Sequence, residues 1–135
     1  MIPILLVDDD QDMLDLMQLE LSDCKEFSII ICPDPLDALK ILKNQGIEII
    51  ITDYKMPKMD GGEFVAEARS AGFNGLIIIY SGMGKDSRIN SVLNAGADFY
   101  IQRSGDPERE FPHIKKTIHN YQKRKVKKGK TSGPE

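Results

Sequence analysis

The fold is decided by the stretch Ile47-Glu48-Ile49-Ile50-Ile51-Thr52-Asp53, a nearly continuous apolar run that ends at an acidic residue. Runs of this kind are typical of strands that are buried on both faces of a parallel sheet. Further short runs rich in apolar and β-branched residues follow the same pattern: Ile4–Val7, Phe27–Ile31, Leu76–Tyr80 and Asp98–Ile101. The sequence therefore predicts five strands.

Apolar residues recur at helical spacing in the segments between these runs, for example Ile89, Val92 and Leu93. Strands that alternate with helices form parallel sheets, and their right-handed crossovers cover both faces. We therefore predict an α/β fold with a five-stranded parallel sheet in the order 2-1-3-4-5, flanked by five helices. This is the flavodoxin-like, doubly wound arrangement.

Length and composition favour one globular domain in a reducing compartment. The chain has 135 residues, of which 41% are hydrophobic and 29% charged, which is ordinary for a single soluble domain. No apolar run approaches the roughly 20 residues of a membrane span, and the first residues lack the features of a secretory signal. Two cysteines, Cys24 and Cys32, are too few for a disulfide framework. We expect a cytoplasmic protein that does not contact membranes.

The charge is distributed unevenly along the chain. Residues 1–114 hold 20 acidic and 10 basic side chains, whereas residues 115–135 hold 8 basic side chains and one acidic side chain. An acidic body argues against direct nucleic-acid binding by the fold itself. We predict one domain over residues 1–122 and a basic, disordered tail over residues 123–135. The tail is interpreted as a solvated run, with a linker to a further module as the alternative.

Polar residues follow the predicted strands at the edge where ligands bind in open α/β sheets. With strands 1 and 3 as neighbours, Asp8, Asp9 and Asp53 should converge within a few ångströms. Clustered carboxylates repel one another unless a cation neutralises them, and Mg²⁺ is the hard divalent ion that prefers such ligands. Ser81 and Arg103 follow strands 4 and 5. This set suits phosphoryl transfer, in which a carboxylate attacks phosphorus while the hydroxyl and the cations stabilise its oxygens.

The simpler interpretation is that acids after strands cap helices. It suits Asp10 and Asp12, which precede a helical pattern directly. It does not suit Asp53, because no helical pattern begins until about Gly61. We therefore interpret Asp53 as a functional residue.

Three segments of the sequence resemble the receiver domains of two-component response regulators. Residues 4–10 are similar to the first strand and acidic pair of that family, and residues 49–62 to its phosphoacceptor strand and loop. Residues 95–101 resemble the approach to its fifth strand. The resemblance covers residues 2 to about 121. It implies a phosphorylation-controlled signalling switch rather than an enzyme that turns over an external substrate.

The resemblance also implies a role for each site residue. Asp53 would accept a phosphoryl group from a phosphohistidine on a histidine kinase or phosphotransfer protein. Asp9 and Asp53 would bind Mg²⁺ directly, Asp8 would bind it through water, and the backbone carbonyl of Lys55 would complete the protein ligands. Ser81 would act as the switch hydroxyl and a stabilising group for the phosphoryl oxygens.

The output implied by the resemblance is a change of protein–protein contacts. Tyr100 occupies the aromatic switch position, and the responding surface would be formed by the fourth helix, the fifth strand and the fifth helix. The partner there would be a downstream protein, and a phosphorylation-dependent homodimer is also compatible with the family.

One departure from the family pattern concerns the cation after strand 5. The family carries Lys, usually followed by Pro, where this chain has Arg103-Ser104-Gly105. Arginine keeps the charge, but its planar fork is not interchangeable with an ammonium group. Three placements of Arg103 follow: toward the phosphoryl group, paired with Asp53 in the resting state, or pointing away.

Two positions that flank the path of an attacking water in this family are Lys55 and Met83. An apolar methionine cannot orient water. We therefore predict slow self-dephosphorylation.

Two alternative functions use the same residues. A haloacid-dehalogenase-like phosphohydrolase would use Asp8 as the nucleophile and Asp10 as the acid/base. A pseudo-receiver would act as an interaction module without phosphorylation, an alternative that the substitution at Arg103 supports.

Overall fold

The computed structural model describes residues 1–82 and 87–132. The strands are β1 (Ile2–Val7), β2 (Phe27–Cys32), β3 (Ile49–Thr52), β4 (Leu76–Ser81) and β5 (Phe99–Gln102). The helices are α1 (Gln11–Leu21), α2 (Pro35–Asn44), α3 (Gly61–Ser70), α4 (Ser87–Ala95) and α5 (Pro107–Ser132). The strands form one parallel sheet in the order β2-β1-β3-β4-β5. The predicted fold and strand order are confirmed.

The isoleucine run over residues 49–51 lies in β3, in the middle of the sheet. Every residue of β3 is fully buried, as expected for a strand covered on both faces. Its register places Thr52 beside Val7 of β1 and beside Ile79 of β4. Because both pairings are parallel, β1 and β3 end at the same edge of the sheet. The residues that follow them, Asp8 and Asp53, are therefore brought to one place.

Helices pack on both faces of the sheet and divide the core in two. The first core layer holds Leu14 and Met17 of α1 together with Phe111 and Ile114 of α5. The second holds apolar residues of α2, α3 and α4, among them Ala38, Phe64 and Val92. Alternate side chains of each strand enter the two layers. The sheet is thereby held rigidly beneath the loops at its carboxyl edge.

Aspartates cap the amino ends of three helices, α1, α2 and α3. Asp10 caps α1, accepting hydrogen bonds from the backbone N–H groups of Asp12 and Met13. The capping role expected for Asp10 is confirmed. Asp60 caps α3 in a reciprocal arrangement with Glu63, which satisfies two otherwise unpaired donors. Because α3 starts only at Gly61, Asp53 has no helix of its own to cap.

Helix α5 is longer than the sequence predicts. Instead of a disordered tail from residue 123, the helix continues through the basic stretch to Ser132. Lysine and arginine are good helix formers, and an ion pair between Lys125 and Glu48 fixes this part of α5 to the loop before β3. The predicted basic tail covers residues 123–135, and the first ten of these belong to α5. No helix among the described residues is both long and apolar enough to cross a membrane.

Gly75 lies immediately before β4 at a point where a backbone segment passes very close. A Cβ at this position would overlap the carbonyl oxygen of Glu48 and would lie 2.8 Å from Cζ of Phe73. We expect Gly75→Ala to lower the free energy of unfolding by roughly 1–3 kcal/mol, because part of the backbone must move. Gly46→Ala is the matched control, since no atom lies within 4 Å of its added Cβ. Urea unfolding of both variants checks this, and an equal loss in the two would contradict it.

Candidate functional site

Three carboxylates meet at the carboxyl edge of the sheet. Asp8 and Asp9 follow β1, Asp53 follows β3, and one oxygen from each lies within 4.8 Å of the other two. The convergence predicted from the strand order is therefore present. Asp8 is buried, Asp9 is exposed and Asp53 is intermediate, so the cluster runs from the protein interior to its surface.

Asp8 is the buried member of the cluster. Its Oδ1 accepts a hydrogen bond of 2.9 Å from the backbone N–H of Asp10. Its Oδ2 is buried and accepts no hydrogen bond from any described residue. Burial, together with the negative charges of Asp53 and Asp9, raises the pKa of Asp8 to about 6, against the lowering effects of the Asp10 N–H and Arg103. A carboxylate in this position is unfavourable unless another positive charge joins it.

Asp53 is held at the edge of the same pocket. Its backbone N–H donates to the carbonyl of Val7 at 3.0 Å, and its Oδ1 accepts from the backbone N–H of Tyr54 at 2.7 Å. The side chain is 12% exposed, so one part of it is accessible. The chain then turns back so tightly that a Cβ on Gly61 would lie 2.7 Å from the Asp53 carbonyl oxygen. Glycine at this position lets the loop close behind Asp53.

The position of the Arg103 side chain decides among the three placements that the sequence left open. Its Nη2 lies 3.3 Å from Oδ1 of Asp53, and its Nη1 lies 3.8 Å from Oδ2 of Asp8. Of the three placements considered, the guanidinium adopts the resting pair with Asp53. Its central carbon also lies 5.3 Å from the ring centroid of Tyr80, within the range of a cation–π contact.

A buried network beneath Arg103 was missed by the sequence analysis. Glu110 of α5 is only 4% exposed, and its Oε1 accepts a hydrogen bond of 2.5 Å from the Tyr80 hydroxyl. Its Oε2 accepts from the backbone N–H groups of Ser104 and Asp106 at 2.8 and 3.1 Å and from the Ser104 hydroxyl at 2.7 Å. Glu110 therefore fixes the loop that carries Arg103. The sequence did carry one signal: Tyr80 lies near the end of an apolar strand, and a buried tyrosine hydroxyl needs a hydrogen-bond partner.

These hydrogen bonds set the ionisation of both partners. Burial alone would raise the pKa of Glu110, but the hydrogen bonds from Tyr80, Ser104 and Asp106 lower it to about 2. Burial and the neighbouring Glu110 carboxylate raise the pKa of the Tyr80 hydroxyl. Glu110 is therefore a carboxylate and Tyr80 a neutral donor near neutral pH.

An open cavity of about 340 Å³ lies over the site. Its lining residues are Asp53, Lys55, Ser81, Gly82, Arg88 and Arg103. It brings the predicted Ser81 and Lys55 together with Asp53, and adds Arg88, which the sequence analysis did not select. Tyr100 lies elsewhere, half-buried against the second core layer and lining a groove beside α4. Met83 lies outside the described residues.

Comparison with known proteins decides the family. The sequence profile described as "Response regulator receiver domain" matches residues 4–115. The chain belongs to the response regulator receiver domain family. Receiver domains are signalling domains of two-component systems rather than turnover enzymes, and they bind Mg²⁺ at an acidic pocket.

Two relatives of this receiver domain match it over about three quarters of its length. It is 30% identical over 100 residues to the response regulator MprA of Mycobacterium sp. (strain KMS), covering 74% of this chain and 43% of that protein. It is 30% identical over 107 residues to an uncharacterized 14.6 kDa protein of Leptolyngbya boryana, covering 77% of this chain and 80% of that one. The chain thus spans less than half the length of the MprA proteins it matches.

Solved structures show the same fold. The CheY-like response regulator receiver domain protein from Methanospirillum hungatei JF-1 is similar with a TM-score of 0.80 and 27% identity, covering 92% of this chain and 98% of that one. The chemotaxis protein CheY4 of Vibrio cholerae is similar in fold with a TM-score of 0.77. It is 22% identical and covers 90% of this chain and 98% of its own.

Family membership argues against the haloacid-dehalogenase alternative, and so does the geometry of the receiver domain. That alternative requires Asp8 to attack substrate. Asp8 is only 1% exposed, whereas the cavity opens on Asp53. Of Asp8 and Asp53, the accessible carboxylate is therefore Asp53, which follows β3.

Proposed function

We propose that this receiver domain is a phosphorylation-controlled switch in which Asp53 accepts a phosphoryl group from a phosphohistidine of a histidine kinase or phosphotransfer protein. The observation that carries the proposal is the placement of the partly exposed Asp53 carboxylate beside two further carboxylates and the Arg103 guanidinium, at a point where Asp53 lines an open cavity. We assign this function to residues 1–122, with the basic residues 123–135 as a C-terminal extension of that domain.

The site fits a magnesium ion. The buried Oδ2 of Asp8 accepts no hydrogen bond from the described part of the chain, and oxygen donors from three carboxylates lie within 4.8 Å of one another. These are the hard ligands that Mg²⁺ prefers. Asp9 and Asp53 would hold the ion directly, Asp8 through water, and the Lys55 carbonyl would complete the set. The ion would supply positive charge to the oxygens of the phosphoryl group.

The residues of the chain have distinct tasks in the transfer. A carboxylate oxygen of Asp53 forms a bond to phosphorus while the phosphorus–nitrogen bond of the donor breaks. The donor imidazole leaves with the electron pair of that bond. Arg103 exchanges its contact with Asp53 for one with the phosphoryl oxygens, and the Ser81 hydroxyl donates a hydrogen bond to one of them. Each of these groups stabilises charge that develops during transfer.

The output surface in this proposal is the α4-β5-α5 face. A groove of about 610 Å³ there is lined by Ile89, Leu93, Phe99 and Tyr100, among others, and Leu93 and Phe99 are each 37% exposed. Tyr100 would change its position when Ser81 engages the phosphoryl group, which alters the shape of this groove. The surface would then bind a downstream protein or a second copy of the chain, in the cytoplasm and without contact with nucleic acid or membrane.

The lifetime of the phosphorylated state is a further part of the proposal. Lys55 lines the cavity beside Asp53, and Met83 is the second position assigned to the water path. We keep the prediction of slow self-dephosphorylation, to be followed as loss of the phosphoryl mass over time. Complete hydrolysis within seconds would contradict it.

The function is tested by incubating the protein with acetyl phosphate and Mg²⁺ and measuring intact mass. We expect the wild-type chain to gain the mass of one phosphoryl group, and Asp53→Asn to gain none, because the amide is a poor nucleophile. Asp60→Asn serves as the matched control, since Asp60 caps α3 outside the carboxylate cluster. EDTA should prevent the mass gain in every variant.

Each other outcome identifies a different function. Steady release of phosphate that depends on Asp8 rather than on Asp53 would indicate a phosphohydrolase. No mass gain in the wild-type chain, with either acetyl phosphate or phosphoramidate, would indicate a pseudo-receiver that works without phosphorylation. A mass gain that persists in Asp53→Asn would overturn the assignment of the phosphoacceptor.

A further inference from the structure

A second group of metal-ligating side chains lies at the opposite edge of the sheet from the acidic pocket. Cys24 and Glu26 belong to the connection between α1 and β2, and His119 belongs to α5. The cysteine sulfur, one carboxylate oxygen and one imidazole nitrogen all lie within 4.8 Å of one another. Because β2 begins at Phe27, this cluster lies at the amino ends of the strands. It shares no residue with the carboxylate site.

The three side chains are already positioned by the fold. Nε2 of His119 lies 3.0 Å from Oε2 of Glu26, and the His119 ring packs 5.8 Å from the ring of Phe27. The side chains of His119 and Glu26 are 42% and 50% exposed, whereas Cys24 is partly buried. The donor atoms therefore converge on a point that solvent ions can reach.

We propose that Cys24, Glu26 and His119 bind a divalent transition-metal ion of the zinc class, with water in the fourth position. Thiolate, imidazole and carboxylate are the ligands that zinc takes in tetrahedral sites. With metal–ligand bonds of about 2.0–2.3 Å, the donors of such a site lie roughly 3–4 Å apart, so only small side-chain rotations separate the observed cluster from a bound one. A sulfur and an imidazole donor favour this class over Mg²⁺ or Ca²⁺.

The nearby charges are compatible with this ion. Lys115, whose positive charge acts on the Cys24 thiol, is held by Asp23 at 2.8 Å, so its charge is partly neutralised. Asp23 also hydrogen-bonds the Cys24 side chain, and burial raises the pKa of that thiol. Metal binding would displace the proton from Cys24 to solvent, and it would replace the contact between Glu26 and His119 by two bonds to one ion.

A metal in this site would join elements that are remote in sequence. Glu26 and His119 are 93 residues apart, and the ion would connect the loop before β2 directly to α5. Because the ion would bind the folded chain and not the unfolded chain, the stability of the fold should rise with metal concentration. The site does not depend on Asp53 or on phosphorylation, so its failure and the failure of the proposed function are separate results.

Cobalt(II) is the probe for this site, because a thiolate bound to cobalt gives a charge-transfer absorption that oxygen ligands cannot give. The reduced chain of 135 residues is titrated with Co²⁺ in excess Mg²⁺, which is added to occupy the carboxylate pocket. We expect a thiolate band that saturates at one equivalent and disappears when Zn²⁺ is added. Cys24→Ser should abolish the band, and His119→Gln should weaken Co²⁺ affinity by more than about 100-fold.

Two matched variants control for the other cysteine and the other histidine. Cys32→Ala and His113→Gln remove side chains outside the cluster, since Cys32 is buried in the second core layer and His113 is exposed on α5. Both should keep the band. Absence of the band in the wild-type chain, or its persistence in Cys24→Ser, would overturn the proposal. Circular dichroism of each variant establishes that it is folded. Glu26→Gln is a third variant, and it replaces the remaining proposed ligand.

Discussion

Replacing Arg103 by methionine is expected to slow phosphorylation of Asp53 by about 10²-fold, the usual effect of removing one stabilising group from a phosphoryl or oxyanion site. The Arg103 guanidinium lies 3.3 Å from Asp53, so its charge is placed to follow the phosphoryl oxygens as they arrive. The rate is measured as mass gain with acetyl phosphate and Mg²⁺. Methionine keeps much of the side-chain length, so packing against Tyr80 is partly retained.

Two further variants separate charge from geometry at this position. Arg103→Lys keeps the charge but lacks the planar fork, so we expect a rate between those of the wild type and Arg103→Met. Arg124→Met removes an exposed arginine of α5 and should leave the rate unchanged. Should Arg103→Met phosphorylate as fast as the wild-type chain, the guanidinium has no part in transfer and serves only the resting state.

Glu110→Gln is expected to lower the free energy of unfolding by roughly 3 kcal/mol near neutral pH, since a displacement of the pKa from 4.5 to about 2 has that equivalent in energy. The glutamine also turns an NH₂ donor toward other donors, because Ser104 and Asp106 both offer N–H groups to Oε2. Leaving such buried donors unsatisfied is costly. Urea unfolding of the variant and the wild type measures the difference.

The contribution of Glu110 to the free energy of unfolding depends on pH. The folded-state pKa of Glu110 lies below its ordinary value, so the stabilisation is complete above about pH 4.5 and is lost as the pH falls towards 2. The stability difference between wild type and Glu110→Gln should therefore shrink over that range. Glu108→Gln, on the exposed side of the same helix turn, should show almost no difference at any pH. A constant difference for Glu110→Gln would mean that its charge is unimportant.

Much of the fold was predictable because its signals are local. β-Branched apolar runs specify buried parallel strands, and the aspartate before α1 specifies a helix start. The convergence of Asp8 and Asp53 followed from the strand order alone, since parallel neighbours end at one edge of the sheet. These inferences needed no knowledge of side-chain packing.

The remaining features depend on contacts between distant parts of the chain. The partner of Arg103 could not be chosen from sequence, because a long side chain after β5 reaches several carboxylates. The Tyr80–Glu110 hydrogen bond joins residues 30 positions apart. The continuation of α5 past residue 122 was missed because it carries no apolar stripe, whereas helix propensity and the Lys125–Glu48 ion pair support it. Periodicity carries no information about any of these.

The interior position of β1 in the sheet has a consequence for synthesis of the protein. β1 is made before the other four strands, and it is hydrogen-bonded to β2 on one edge and to β3 on the other. The edge that pairs with β3 therefore stays open until residues 49–52 have left the ribosome. At about 5–20 residues per second, that delay lasts several seconds. During it, the nascent chain presents an apolar strand with unpaired backbone groups, which is the kind of surface that chaperones recognise.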